Sequence, residues 1–163
     1  MSDWRVRVDA VWASAAERTE EQVLADIDAL VAERPADDAE ALFEAASARD
    51  YAGLEAEAEP LYRAALRAGL EEPSMGRALV QLASTLRNLG RADEAVTLLR
   101  ETLGGWPQHP LATAGRAFEA LALVELGRAD EAAGVALRAL AGYLPEYGGA
   151  VARYTEDLPR TGR

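Results

Sequence analysis

The sequence predicts an all-α fold built from consecutive helix–turn–helix units. Three observations carry this. Apolar residues recur at helical rather than alternating spacing along almost the whole chain, and no run of β-branched alternation interrupts them. The heptapeptide LGRADEA occurs twice, at Leu89 to Ala95 and at Leu126 to Ala132, with a weaker copy, AGLEAEA, at Ala52 to Ala58. The glycines of the three copies, Gly53, Gly90 and Gly127, stand 37 residues apart. A fixed period of this length is the mark of a repeat architecture, in which each unit is one supersecondary element.

The first well-marked helix is EEQVLADIDALVAER, with Val23, Leu24, Ile27, Leu30 and Val31 on one stripe. Thr19 followed three residues later by Gln22 forms a capping-box pattern, and Pro35 ends the segment. An earlier helix around Val6 to Ala16 carries Trp4 and Trp12. Each repeat then supplies a first helix (Asp38 to Tyr51, Ser74 to Leu89, Leu111 to Leu126), a glycine, and a second helix closing near Leu66, Leu103 or Leu140. Pro73 and Pro110 sit where helices start, where a missing N–H costs nothing. Pro60, inside a second helix, is expected to bend it or delay its start. WPQHP, Trp106 to Pro110, connects repeats two and three. After Pro145, EYGGAVARYTEDL forms a closing helix. The expected division is an N-terminal helical segment over 1–36, repeats over about 38–70, 74–107 and 111–144, a cap over about 146–158, and a tail over 159–163.

Small residues precede each glycine by seven (Ala46, Ala83, Ala120) and follow it by five (Ala58, Ala95, Ala132). On facing sides of two helices they let the axes approach to the near end of the roughly 8–10 Å range. Helix pairs with a small residue seven before Gly and Gly-x-x-x-E-A after it resemble the tetratricopeptide repeat, whose period is about 34 residues. The stretches FEAASARDYAGLEAEAEPLYRAALRAGL, QLASTLRNLGRADEAVTLL and FEALALVELGRADEAAGVALRAL are similar to a bacterial subfamily of small proteins built around one block, here Ala39 to Leu158. The resemblance implies an α-α superhelix that acts as a protein-interaction scaffold, with no enzymatic activity attached. The third repeat departs from the pattern: Arg116 stands where the first two carry Leu42 and Leu79.

Composition narrows the function classes. The 163 residues are half apolar and 28% charged, as in a folded globular chain. The net charge of -11 argues against nucleic acid, whose phosphates are neutralised by basic residues. No apolar run is long enough to span a membrane, and the N-terminus lacks a signal-peptide core, so the chain is expected in the cytoplasm. With no cysteine there is no disulfide, thiolate nucleophile or thiolate metal site. All seventeen basic residues are arginine, a bias that points to a GC-rich bacterial coding sequence.

No catalytic residue, metal ligand or cofactor is expected. His109, the only histidine, lies in the Pro-flanked connector, where the reading is an exposed loop side chain, with a general base or a helix cap as the alternatives. The carboxylate pairs Asp93/Glu94 and Asp130/Glu131 suit the positive end of a helix dipole. In tetratricopeptide arrays the concave groove is lined by the first helices, which implies a partner-binding face of Phe43, Ser47, Asp50, Tyr51, Arg77, Ser84, Arg87, Asn88 and Leu121, with Val124 alongside. Arg87 and Asn88 have the donors to read a carboxylate or an extended backbone, with Asp50 expected to hold Arg87 in place. The positions of the chaperone-binding Lys/Asn clamp read Phe43, Ser47, Gln81, Ala114 and Phe118, so chaperone tails are not the expected ligand. The predicted partner is a protein or peptide segment. One alternative is a homodimer with a self-occupied groove, motivated by Trp4, Trp12, Tyr143, Tyr147 and Tyr154; a remote one is a hydrolase joining His109 to a serine and a carboxylate.

Overall fold

A computed structural model describes residues 3–156 and Leu158, and among these the chain is helical throughout, without strands. The helices are α1 (Asp3–Ala13), α2 (Glu20–Val31), α3 (Ala39–Tyr51), α4 (Glu55–Arg67), α5 (Ser74–Asn88), α6 (Ala92–Glu101), α7 (Ala112–Glu125), α8 (Ala129–Ala141) and α9 (Gly148–Tyr154), with 3-10 turns at Ala15–Glu17 and Leu103–Gly105. They fall into two compact units, Met1–Thr85 and Leu86–Arg163, and α5 runs across the division. The expected tail, 159–163, lies outside the described residues. Pro60 does not delay α4, which starts five residues before it.

In the N-terminal unit Thr19 closes its capping box: its Oγ1 accepts from the Gln22 N–H at 3.3 Å, and the Gln22 side chain accepts from the Thr19 N–H at 3.1 Å. Val23, Ile27 and Leu30 on the stripe of α2 are buried with Trp4, Val8, Ala15, Ala41 and Ala48, and Leu24, Val31 and Trp12 pack around them. The Trp4 indole donates to the Leu30 carbonyl at 2.8 Å. The two N-terminal tryptophans therefore serve the core of this unit. α3 packs against both α2 and α4, so Ala41 and the run from Phe43 to Ala48 are buried. Within that run stands Glu44, 2% exposed, which accepts from Arg5 Nη1 and from the Trp12 indole at 2.6 Å each. A buried carboxylate must be paired and hydrogen-bonded, and here one group ties α1 to α3 by meeting that need. The first turns of α5 join the unit through Ser74, whose hydroxyl donates to Glu40 at 3.0 Å.

In the C-terminal unit α7 packs against α6 and α8, and α9 covers α8. Leu103, in the 3-10 turn after α6, seats on α7 at Gly115, where a Cβ would stand 3.1 Å from Leu103 Cδ1, so a larger residue there requires the leucine to give by a few tenths of an ångström. The end of α7 shows what the repeated heptapeptide does. Gly127 adopts φ +72°, its N–H donates to the Val124 carbonyl and the Arg128 N–H to the Leu123 carbonyl, each at 2.9 Å. This is a Schellman closure. Gly90 repeats it at φ +74°, with bonds of 2.8 Å to Arg87 and Leu86.

The Arg and Glu of the heptapeptide clasp one another across the first turn of the next helix. Arg91 binds Glu94 and Arg128 binds Glu131, both at 2.6 Å. Glu131 also accepts from Arg100, which in turn binds Glu119, again at 2.6 Å each, so α6, α7 and α8 share one ladder of charges. Desolvation is the largest single influence on the Glu131 carboxyl and pushes its pKa up. The hydrogen bonds and charges of Arg100 and Arg128 together outweigh it and leave the group below the ordinary glutamate value.

Nothing lies within 4 Å of a Cβ built on Gly127, so Gly127→Ala carries backbone strain without a clash and should lower the unfolding free energy by about 1 kcal/mol, with Gly127→Asn costing less; urea denaturation of the three proteins measures it. For Glu131, a folded pKa below the unfolded one means that the ionised form is held preferentially in the fold. Its contribution is present above the reference value of 4.5 and is lost as pH falls through the lower folded value. Stability measured across pH 3 to 7 should therefore decline less on the acid side in Glu131→Gln than in the wild type.

Candidate functional site

The residues expected to face a partner divide between the two units. In the N-terminal unit Phe43 is 5% exposed and packs its ring against Tyr62 at 6.2 Å between centroids, and Ser47 is buried with its Oγ lacking a hydrogen-bond partner among the described residues. Asp50 accepts from the Tyr62 hydroxyl at 3.3 Å and from the Thr85 hydroxyl at 3.0 Å. Burial pushes the Asp50 carboxyl above the ordinary aspartate range, and the hydrogen bonds from Thr85 and Tyr62 oppose the shift only in part. Burial, then the charge of Asp50, pushes the Tyr62 hydroxyl up as well. Tyr51 stays 41% exposed while its edge meets Trp12 at 5.8 Å and its hydroxyl donates to the Ala15 carbonyl at 3.3 Å. Arg77 is exposed and Ser84 half-buried.

In the C-terminal unit Arg87 donates through Nη2 to Glu125, and its Nε is buried without a partner among the described residues. Asn88 is exposed at the end of α5. Leu121 and Val124 on α7 are 48% and 57% exposed, and Ala117, one turn earlier on the same stripe, is exposed too. Asp50 and Arg87 are each engaged inside their own unit, Asp50 by the hydroxyls of Tyr62 and Thr85 and Arg87 by the Glu125 carboxylate. Glu125 is the partner of Arg87 that the sequence does not single out. The available signal was its charge, opposite to that of Arg87 and about one repeat period away. Glu44 carries no periodic or motif signal in the sequence, because its partners Arg5 and Trp12 lie more than 30 residues away.

His109 departs from the exposed loop residue expected. It is 7% exposed, its Nδ1 accepts from the Leu111 N–H at 3.0 Å, and its ring lies 4.8 Å from that of Trp106. The imidazole thus organises the turn leading into α7 without capping the helix itself, whose N-cap residue Leu111 makes no side-chain cap bond. Among the described residues no group of three His, Asp or Glu side chains is arranged to hold a metal ion.

A cleft of about 640 Å³ opens within the C-terminal unit, lined by Arg100, Gly104, Arg116, Glu119, Glu131, Val135 and Arg138. Arg100, Glu119 and Glu131 belong to the charge ladder above. The charged composition makes this a different kind of surface from the Leu121/Val124 stripe.

The curated proteins yield no match to this chain, and neither do the solved structures. The sequence model of the family described as "Tetratrico peptide repeat" matches residues 39–158, which take in everything from α3 to the end of α9. Consecutive helix pairs, left-handed glycine closures and small residues at the pair contacts agree with that match. The chain belongs to the tetratricopeptide repeat family.

Proposed function

We propose that this protein is a non-catalytic scaffold that binds a peptide segment of a partner protein on the exposed face of its first-type helices. The observation that carries the reading is the apolar stripe of α7. Ala117, Leu121 and Val124 recur at the spacing of one helix face and are exposed, although every other long apolar side chain of α7 is at least half-buried. An amphipathic helix normally buries such a stripe, and one left open is a site for a partner's apolar anchors. Arg87 and Glu125 border it with a fixed ion pair, and Asn88 adds amide donors and an acceptor. In the N-terminal unit Tyr51, Arg77 and Ser84 are the expected contact residues with surface to offer, whereas Phe43 and Ser47 are buried and Asp50 is held by Tyr62 and Thr85. With a net charge of -11, the chain favours a segment with basic residues flanking its anchors. Among the described residues no helix is long and apolar enough to cross a membrane, and the cytoplasm suits this reading.

Peptides selected from a random display library on the wild-type protein provide the test. Leu121→Asp and Val124→Asp should each weaken a selected peptide by about tenfold or more, with stability changed by no more than about 0.5 kcal/mol. Arg87→Ala should weaken it less. Equal affinity for all variants would remove this face from the function.

A second reading, association of two copies of the chain, is favoured by a cluster of exposed side chains late in the C-terminal unit: Leu140 at 49%, Tyr143 at 69%, Tyr147 at 78% and Tyr154 at 69%. Aromatic side chains are enriched in interfaces. On this reading sedimentation at tens of micromolar gives a dimer that Tyr143→Ser/Tyr147→Ser converts to monomer. A wild-type monomer under those conditions ends it.

A further inference from the structure

The cleft of the C-terminal unit lies where the repeat changes its chemistry. Counting one and two periods back from its lining residues shows the change. Arg116 stands in register with Leu42 and Leu79, Glu119 with Ala45 and Leu82, and Arg138 with Ala64 and Glu101. In the earlier repeats three of these six positions are core: Ala45, Leu79 and Leu82 are buried at 4%, 7% and 1% exposure. Repeat three gives two core-type positions of its first helix to an arginine and a glutamate, and places a further arginine on the facing second helix. Charge at a helix-packing position forfeits apolar burial, a loss of about 1.5–3 kcal/mol for a leucine-sized side chain. What stands in return is an open volume of about 640 Å³, inside the range of small-molecule sites.

The charges in the cleft have unequal roles. Glu119 and Glu131 are both claimed by Arg100, and Glu131 by Arg128 as well. These groups neutralise one another and form a braced frame. Arg116 and Arg138 make no ion pair or hydrogen bond among the described residues. In a chain with 28 carboxylate side chains against 17 arginines, a purely structural arginine has acidic partners in excess, and Arg5, Arg7, Arg18, Arg34, Arg49 and Arg87 have each taken one. Arg67, Arg77 and Arg153 have no carboxylate partner among the described residues either, but they stand apart from the cleft. Arg116, half-buried, and Arg138, exposed, share its lining beside a frame that has already used the local acids, so their guanidinium donors are open to a ligand there. A guanidinium presents a planar fork that matches carboxylate and phosphate oxygens. Val135 adds an apolar contact in the same lining.

We propose that this cleft binds a small organic oxyanion, carrying phosphate or carboxylate groups that Arg116 and Arg138 hold, against the frame of Arg100, Glu119 and Glu131. The site is separate from the peptide-binding face on α7 and stands or falls without it. Its occupant is of metabolite size, and the shared chemistry is the oxyanion.

Calorimetric titration of the full chain with pyrophosphate and with citrate tests the proposal, at low and at moderate salt. Saturable one-site binding of either probe is expected; tighter binding of pyrophosphate identifies a phosphate ligand, and tighter binding of citrate a carboxylate one. Arg116→Gln and Arg138→Gln should each weaken the preferred probe by about tenfold or more. Arg67→Gln makes the same charge change on α4 of the N-terminal unit and should leave the affinity within about twofold of wild type. Arg116→Lys, which keeps the charge and loses the fork, should fall between wild type and Arg116→Gln. Circular dichroism spectra superimposable on the wild type accompany these outcomes. Absence of saturable binding of both probes at millimolar concentration overturns the proposal, as does an equal loss in Arg67→Gln and Arg116→Gln. Failure of this experiment leaves the Leu121/Val124 test unaffected.

Discussion

The close contact between paired helices is the constraint on which the rest of the structure depends. Ala46 and Ala58 are fully buried where α3 meets α4, and Ala120 and Ala132 are 8% and 4% exposed where α7 meets α8. A larger side chain at either member of a pair separates the axes and opens the interior on both sides, because protein cores are close-packed and relax only partly. The glycine closures serve the same contact. A chain that must reverse at once needs a residue at positive φ directly after the helix, and the bonds back to the last turn satisfy carbonyls that would otherwise be orphaned. Alanine and glycine thus act at different levels, one in packing and one in backbone conformation, toward a single geometry.

Much of this was legible in the sequence because it is periodic. Gly53, Gly90 and Gly127 mark the turns, the alanines mark the contacts, and Thr19 with Gln22 mark a helix start by local chemistry alone. The interactions that depend on distant partners were not legible. Asp50 and Arg87 look like natural partners by charge, yet burial gives Asp50 to the hydroxyls of Tyr62 and Thr85, and Arg87 finds Glu125. A neutral donor can satisfy a buried carboxylate without bringing in a second charge that must also be desolvated, and pattern reading does not weigh that alternative. His109 is hidden from the sequence for a related reason. Its flanking prolines and polar neighbour indicate a loop, and a loop residue is usually exposed, but the imidazole folds against Trp106 and caps a local N–H.

Glu44 shows how a single charge can specify where an added element docks. α1 lies outside the matched family segment, and its first turns carry few aliphatic side chains on a shared stripe. Trp4 and Val8 supply its burial. Burial alone tolerates sliding or rotation of a short helix, whereas the Arg5 and Trp12 donors must both reach one carboxylate of α3. Any other register leaves Glu44 buried and unpaired, which costs far more than the pairing gains.

Within the repeats themselves, shared geometry and available chemistry fall on different residues. In LGRADEA, glycine turns the chain, alanine closes the contact, and arginine and glutamate clasp across the first turn at 2.6 Å in both copies. An element with its polar groups already satisfied has little left to offer a ligand. The positions that differ between copies keep unspent capacity. Where repeat two ends its first helix in Arg87 and Asn88, repeat three has Val124 and Glu125, and the difference yields an ion pair beside an open apolar stripe. Where repeats one and two carry Leu42 and Leu79, repeat three places Arg116 without a carboxylate at a cleft. In an array whose scaffold is written by repetition, binding chemistry is to be sought where the repetition breaks and the broken position has not been reabsorbed by a neighbour.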